Sequence, residues 1–122
     1  MKIRVKKIAE PVFTTEIYLL VGDKEHCNKW LQKKYDIADI LDEKSTFAST
    51  CDIVSDTGRM TQAMWFSPLA AKRKFRISTL THESLHATIN VMEHSGILLT
   101  KNTHEPYCFL LGWIAEEVDN FL

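Results

Sequence analysis

Cysteine is scarce in this sequence and none of it is paired by spacing. The three residues, Cys27, Cys51 and Cys108, stand far apart. An odd number so placed builds no disulfide framework, and the lack of any C-x-x-C pair removes a cysteine zinc knuckle and a thioredoxin-type site. Three reduced thiols in a cytosolic compartment are expected. Excess charge of one sign is missing too, with 15 basic against 16 acidic side chains and a net charge of −1. That balance leaves no electrostatic footprint for nucleic acid and no pull toward anionic membranes. The local basic patches Lys2 to Lys7 and Lys72 to Arg76 are read as solvated surface. No apolar run approaches the ~18–20 residues that span a bilayer. The opening MKIRVKKIAEPVF has a basic start but no continuous apolar stretch and no A-x-A site, so no secretory signal is expected. Repeats, low-complexity segments and linkers are also absent.

What is present is enough for a folded domain. The chain has 122 residues, of which 45% are hydrophobic, 10% aromatic and 25% charged. That length suits a single domain, and that composition buries a core. Lys2 to Ala9 alternates apolar and basic residues and predicts a strand; Val12 to Val21, rich in β-branched and aromatic residues, predicts a second. Gly22-Asp23 makes a turn, with Asp23 as N-cap of a helix from Lys24 to about Tyr35. Asp36 to Lys44 is acidic and reads as a loop. Ser45 to Ser55 and Arg59 to Phe66 flank Asp56-Thr57-Gly58, a hairpin signal. A helix then opens at Ser78 or Thr79 and runs to about His94, closed by Ser95-Gly96. A last helix carries Pro106 in its first turn and a stripe of Tyr107, Leu110, Leu111, Ile114, Val118 and Phe121. The fold class expected is α+β: a small mixed or antiparallel sheet packed against these two C-terminal helices.

Residues 82–86 read His-Glu-Ser-Leu-His inside the predicted long helix. Histidines four residues apart share one helix face, so both imidazoles can reach one ion. The intervening Glu83 is placed to take a proton from a water on that ion rather than to bind it. Catalytic zinc takes such a set, with a third protein ligand and one position left open. Leu85, Ile89, Met92 and Thr81 group into an apolar stripe, and His82 and His86 fall on its border, a half-buried position facing a cleft.

The third ligand must come from elsewhere. The metzincin extension fails, since Ile89 and Met92 occupy the glycine and last histidine positions. His94 is ~12 Å along the helix from His86, too far to share an ion. Glu105 and His104, at the start of the last helix, are the candidates, because the short connection from Gly96 to Thr103 lets the two helices pack antiparallel. Pro106 would leave Glu105 outside the regular ladder and able to point back. Each also has a plain reading: Glu105 as a carboxylate favouring the helix dipole, His104 as an ordinary neighbour of the cap. Glu116 and Glu117 read as surface; Glu93 points the same way as the two histidines but two turns beyond His86, and reads as surface or as a group behind the ligands rather than as a ligand. Tyr107 and Trp65 are possible oxyanion or substrate contacts, with a core role the competing reading for both, and the strand Arg59 to Phe66 is a possible cleft edge for an extended peptide.

THESLHATINVMEHSGI followed by NTHEPYCFLLGWIAEEV resembles the small phage-encoded, zincin-like metallopeptidases. Their C-terminal half shows H-E-x-x-H, a short glycine-containing connector and an H-E-x-x-x-Y/F-L-x-G-W helix. Here these are His82, Glu83 and His86, then Gly96, then His104, Glu105, Phe109, Leu110, Gly112 and Trp113, within about residues 46–118. The resemblance implies a minimal zincin-like domain over 1–122, with Zn2+ held by His82, His86 and Glu105 in gluzincin style, and Glu83 as general base. It implies a peptide or protein substrate, or a host or virion protein partner, in the host cytoplasm. A metal-stabilised interaction module without catalysis is the alternative.

Overall fold

The computed structural model describes residues 2–36, 41, 47–55 and 57–122. Among them the elements run β1 (Arg4–Ala9), β2 (Glu16–Val21), α1 (Lys24–Tyr35), β3 (Ala48–Val54), β4 (Met60–Phe66), α2 (Arg73–His94) and α3 (His104–Phe121). The order of strands and helices is the one expected. Most of the predicted 36–44 loop, the start of the third strand at 45–46 and Asp56 of the hairpin turn lie outside the described residues. None of the helices described is long and apolar enough to cross a membrane.

The sheet has the order β1-β2-β4-β3. Its central pair, β2 and β4, is parallel, while the outer strands run antiparallel to their neighbours. A central parallel pair is covered on both faces, and the sequence of these strands shows it. EIYLLV and MTQAMWF are nearly continuous in buried residues. Ile17, Leu19, Met64 and Phe66 point to the face covered by α2 and α3, where they meet Leu80, Val91, Leu110, Ile114 and Val118. Tyr18, Leu20, Ala63 and Trp65 point to the other face, where Cys27 and Leu31 of α1 cover them. The result is a three-layer α+β domain with one helix on one side of the sheet and two on the other.

Local chemistry sets the joints. Glu10 is fully buried because its carboxylate accepts backbone N–H groups from Val12 (2.7 Å), Phe13 (2.8 Å) and Thr15 (2.8 Å), closing the β1–β2 loop. Asp23 sits at the N-cap of α1 as expected but makes no side-chain cap bond. It binds the His26 ring at 2.7 Å instead, and that bond holds the Asp23 carboxyl below its ordinary range. At the far end of the chain α2 and α3 pack antiparallel: Arg76 Nε donates to Asp119 Oδ1 (2.8 Å) at one end, and the Tyr107 hydroxyl donates to the Ile97 carbonyl at the other.

α2 begins at Arg73, about one and a half turns before the Ser78 or Thr79 start expected. That first turn has no acidic residue and no side-chain cap bond. Tertiary contacts hold it instead: Phe75 packs edge-on to Phe47 (5.4 Å), and Arg76 is tied to Asp119.

Candidate metal centre

His82, Glu83 and His86 all lie in the middle of α2, over β3. The two Nε2 atoms are 3.1 Å apart. Two imidazole nitrogens ~2.0–2.1 Å from one tetrahedral ion would stand about 3.3 Å apart, so the pair fits an ion with almost no movement. The side chains are more open than expected. His82 is 67% exposed and His86 is exposed as well.

The reason is the phase of the helix. Leu85, the centre of the stripe drawn from sequence, is 43% exposed. The buried face is built largely from small and polar residues, Ser84, Ala87 and Thr88 beside Leu80 and Val91. A hydrophobicity pattern gives such small and polar residues little weight. The true buried face is rotated away from Leu85, and the histidines turn with it toward solvent.

Glu83 does the opposite. It is 6% exposed, and its Oε1 accepts the Thr50 hydroxyl of β3 at 2.8 Å. Its Oε2 stands 3.8 Å from His82 Nε2. The carboxylate is therefore held by one oxygen and turned toward the imidazole pair with the other. One turn beyond His86, Asn90 Nδ2 donates to Gln62 Oε1 at 2.9 Å, and Gln62 Nε2 donates to Asp52 Oδ1. α2 is thus pinned to β3 and β4 on both sides of His86. Thr50, Gln62 and Asn90 were not singled out from the sequence. The signal available was that Thr50 and Asp52 share one face of a strand, and Glu83 and Asn90, seven apart, share one face of a helix.

The other candidates lie apart from this group. Among the described residues, no three His, Cys, Asp or Glu side chains are gathered so as to hold a metal ion. Glu105 and His104 are exposed on the first turn of α3. Because the helices run antiparallel, that turn adjoins the C-terminal end of α2 and not its middle. Trp65 is 1% exposed on the α1 face of the sheet, and its Nε1 donates to the Gly22 carbonyl at 2.9 Å. Tyr107 is 4% exposed with its hydroxyl committed to Ile97. Both are core residues, so neither is free to contact a substrate at the histidines. The strand Arg59 to Phe66 is also not an edge. β4 is bonded on both sides, and β3 is the edge strand beside the site. Burial pushes the Cys27 and Cys51 thiols up to about 12, which keeps both protonated near neutral pH in the metal-free chain.

A groove of about 360 Å³ adjoins the site, lined by Phe47, Ala48, Ser78, Thr79, His82 and Glu83. A larger cavity of about 740 Å³, lined in part by Tyr18, Lys34, Tyr35 and Arg59, holds none of these site residues. No family model, curated protein or solved structure matches the chain.

Proposed function

We propose that the chain is a zinc-dependent hydrolase acting on peptide bonds, built on a minimal zincin-like domain. The observation that carries this is the His82–His86 pair at 3.1 Å with the buried Glu83 carboxylate 3.8 Å from one imidazole. His82 and His86 would hold the ion through Nε2. Zinc, when bound there, would supply a Lewis acid and an acidified water. Glu83 would accept the proton of the attacking water on Oε2 and return it to the leaving amine, while Thr50 fixes the carboxylate through Oε1. Glu105 or His104 is the proposed third ligand, and reaching the pair requires the first turn of α3 to move toward the middle of α2.

The edge strand supports a peptide as substrate. Phe47 accepts from Ser67 N, and Ser55 N donates to the Arg59 carbonyl. In an antiparallel pair this phase turns the backbone groups of Ala48, Thr50, Asp52 and Val54 outward. An extended peptide can pair there beside His82 and His86.

One observation favours the second reading, a metal-stabilised interaction module. The Thr50 bond gives Glu83 a structural duty between α2 and β3 that needs no catalysis. The Glu83→Gln variant separates the two. The hydrolase reading expects it to keep zinc and lose cleavage of a denatured-protein mixture that the wild type digests. Absence of cleavage by the zinc-loaded wild type would leave the module.

A further inference from the structure

We infer that the groove beside the histidine pair selects polypeptides carrying an aspartate or glutamate three to four residues from the hydrolysed bond; the position of that bond rests on the hydrolase reading above. Lys74, Ser78, His82 and His86 form a row at intervals of four along α2, so they follow one face of the helix. Ser78 and His82 line the groove. Lys74 stands one turn before Ser78, with its Nζ 5.5 Å from the centre of the Phe75 ring. Phe75 in turn packs on Phe47, a wall of the same groove. The groove therefore runs from the His82 imidazole to Ser78 and Phe47, and Lys74 stands one helical turn beyond its Ser78 end, over the Phe75 ring. Eight helical residues separate Lys74 from His82, about 12 Å at ~1.5 Å per residue. An extended peptide covers that distance in about three to four residues at ~3.3 Å each.

The charge at this end has no counterpart within the described chain. Lys72, Arg73 and Lys74 are exposed, and among the described residues none of them has a carboxylate partner; Arg76 alone of this run is paired, with Asp119. No Asp or Glu occurs from Thr57 to His82. The three cations also occupy the N-terminal end of a helix, where the macrodipole disfavours them. An anionic segment of a bound chain relieves that repulsion and is drawn to this end of the groove.

Dodecapeptides with a neutral frame and a central phenylalanine test this, one series carrying an Asp-Asp pair stepped along the frame and the other Lys-Lys at the same positions. Binding is read by fluorescence anisotropy on Glu83→Gln, and cleavage by mass spectrometry on the zinc-loaded wild type. The Asp-Asp frames bind about three- to tenfold tighter than the Lys-Lys frames, as two surface charge contacts allow. The advantage shrinks at high salt. In Arg73→Glu/Lys74→Glu the preference reverses; circular dichroism confirms the fold, which acidic residues in a first helical turn favour. Equal binding of the two series, or a preference that survives the charge reversal, overturns the inference. So does a patch that binds phosphatidylserine vesicles and not the peptides. Cleavage without an acidic preference overturns the inference and leaves the hydrolase reading standing. Acid-dependent binding that reverses in the double variant, with no frame cleaved, overturns the hydrolase reading and keeps the docking surface.

Discussion

Replacing Thr50 by valine removes one hydroxyl and keeps a β-branched side chain of the same shape on an edge strand. The lost bond is the 2.8 Å contact to Glu83 Oε1, made to a carboxylate only 6% exposed. A hydrogen bond to a charged group contributes roughly 1.5–3 kcal/mol, and a buried carboxylate left short of a partner falls at the upper end of that range. Thr50→Val therefore lowers the unfolding free energy by about 2 kcal/mol, read from urea unfolding at neutral pH with the m-value unchanged. The cost belongs to the pair and not to the strand. In Glu83→Gln the same hydroxyl can still donate to the amide oxygen, so the charge contribution is gone before Thr50 is changed. A double-mutant cycle with Thr50→Val and Glu83→Gln then gives a coupling of about 1 kcal/mol. Thr50→Val within ~0.5 kcal/mol of the wild type, with no coupling in the cycle, would refute the claim that this contact orients the glutamate.

Glu10→Gln replaces a carboxylate that receives three backbone N–H groups with an amide that brings its own donors, and costs about 1.5–3 kcal/mol by urea unfolding; a change below ~0.5 kcal/mol contradicts it. Leu85→Gln changes stability by less than ~0.5 kcal/mol while Leu80→Ala costs about 2–4 kcal/mol, and the reverse order would mean the phase of α2 is misread. Cys108 is exposed and reacts with a thiol reagent at once, the partly buried Cys51 reacts more slowly, and the buried Cys27 reacts only as the fold opens. Desolvation raises both the Cys27 and the Cys51 thiol to about 12 in the folded chain, so unfolded chains ionise from about pH 8.5 while folded ones do not. Their contribution to stability is complete below that pH and declines as the pH rises toward 12, which a falling urea midpoint over this window checks.

Much of the fold was legible because the chain punctuates itself. Gly22-Asp23, Gly58, Ser95-Gly96 and Pro106 mark joints through local backbone chemistry, and each falls at a joint of the structure. The motif on α2 was legible because a spacing of four fixes two side chains on one face wherever the helix lies. Sheet order was not legible. Strands β2 and β4 are neighbours through a long-range parallel pairing across α1, and only that pairing shows that β3 and not β4 is the edge beside the histidines. The exposure of His82 and His86 is not legible either, for a related reason. It depends on which small residues of α2 meet the sheet and α3, and Ser84, Ala87 and Thr88 carry too little hydrophobicity to announce themselves. The Glu83–Thr50 bond joins residues 33 apart in sequence, and no local pattern encodes it.

Titrating zinc into the purified chain by calorimetry, with His86→Ala in parallel, tests whether His82 and His86 hold a metal ion. The wild type is expected to bind about one zinc per chain and the variant to bind it at least tenfold more weakly. A wild type that takes up no zinc, or a His86→Ala variant that binds it equally well, would contradict it.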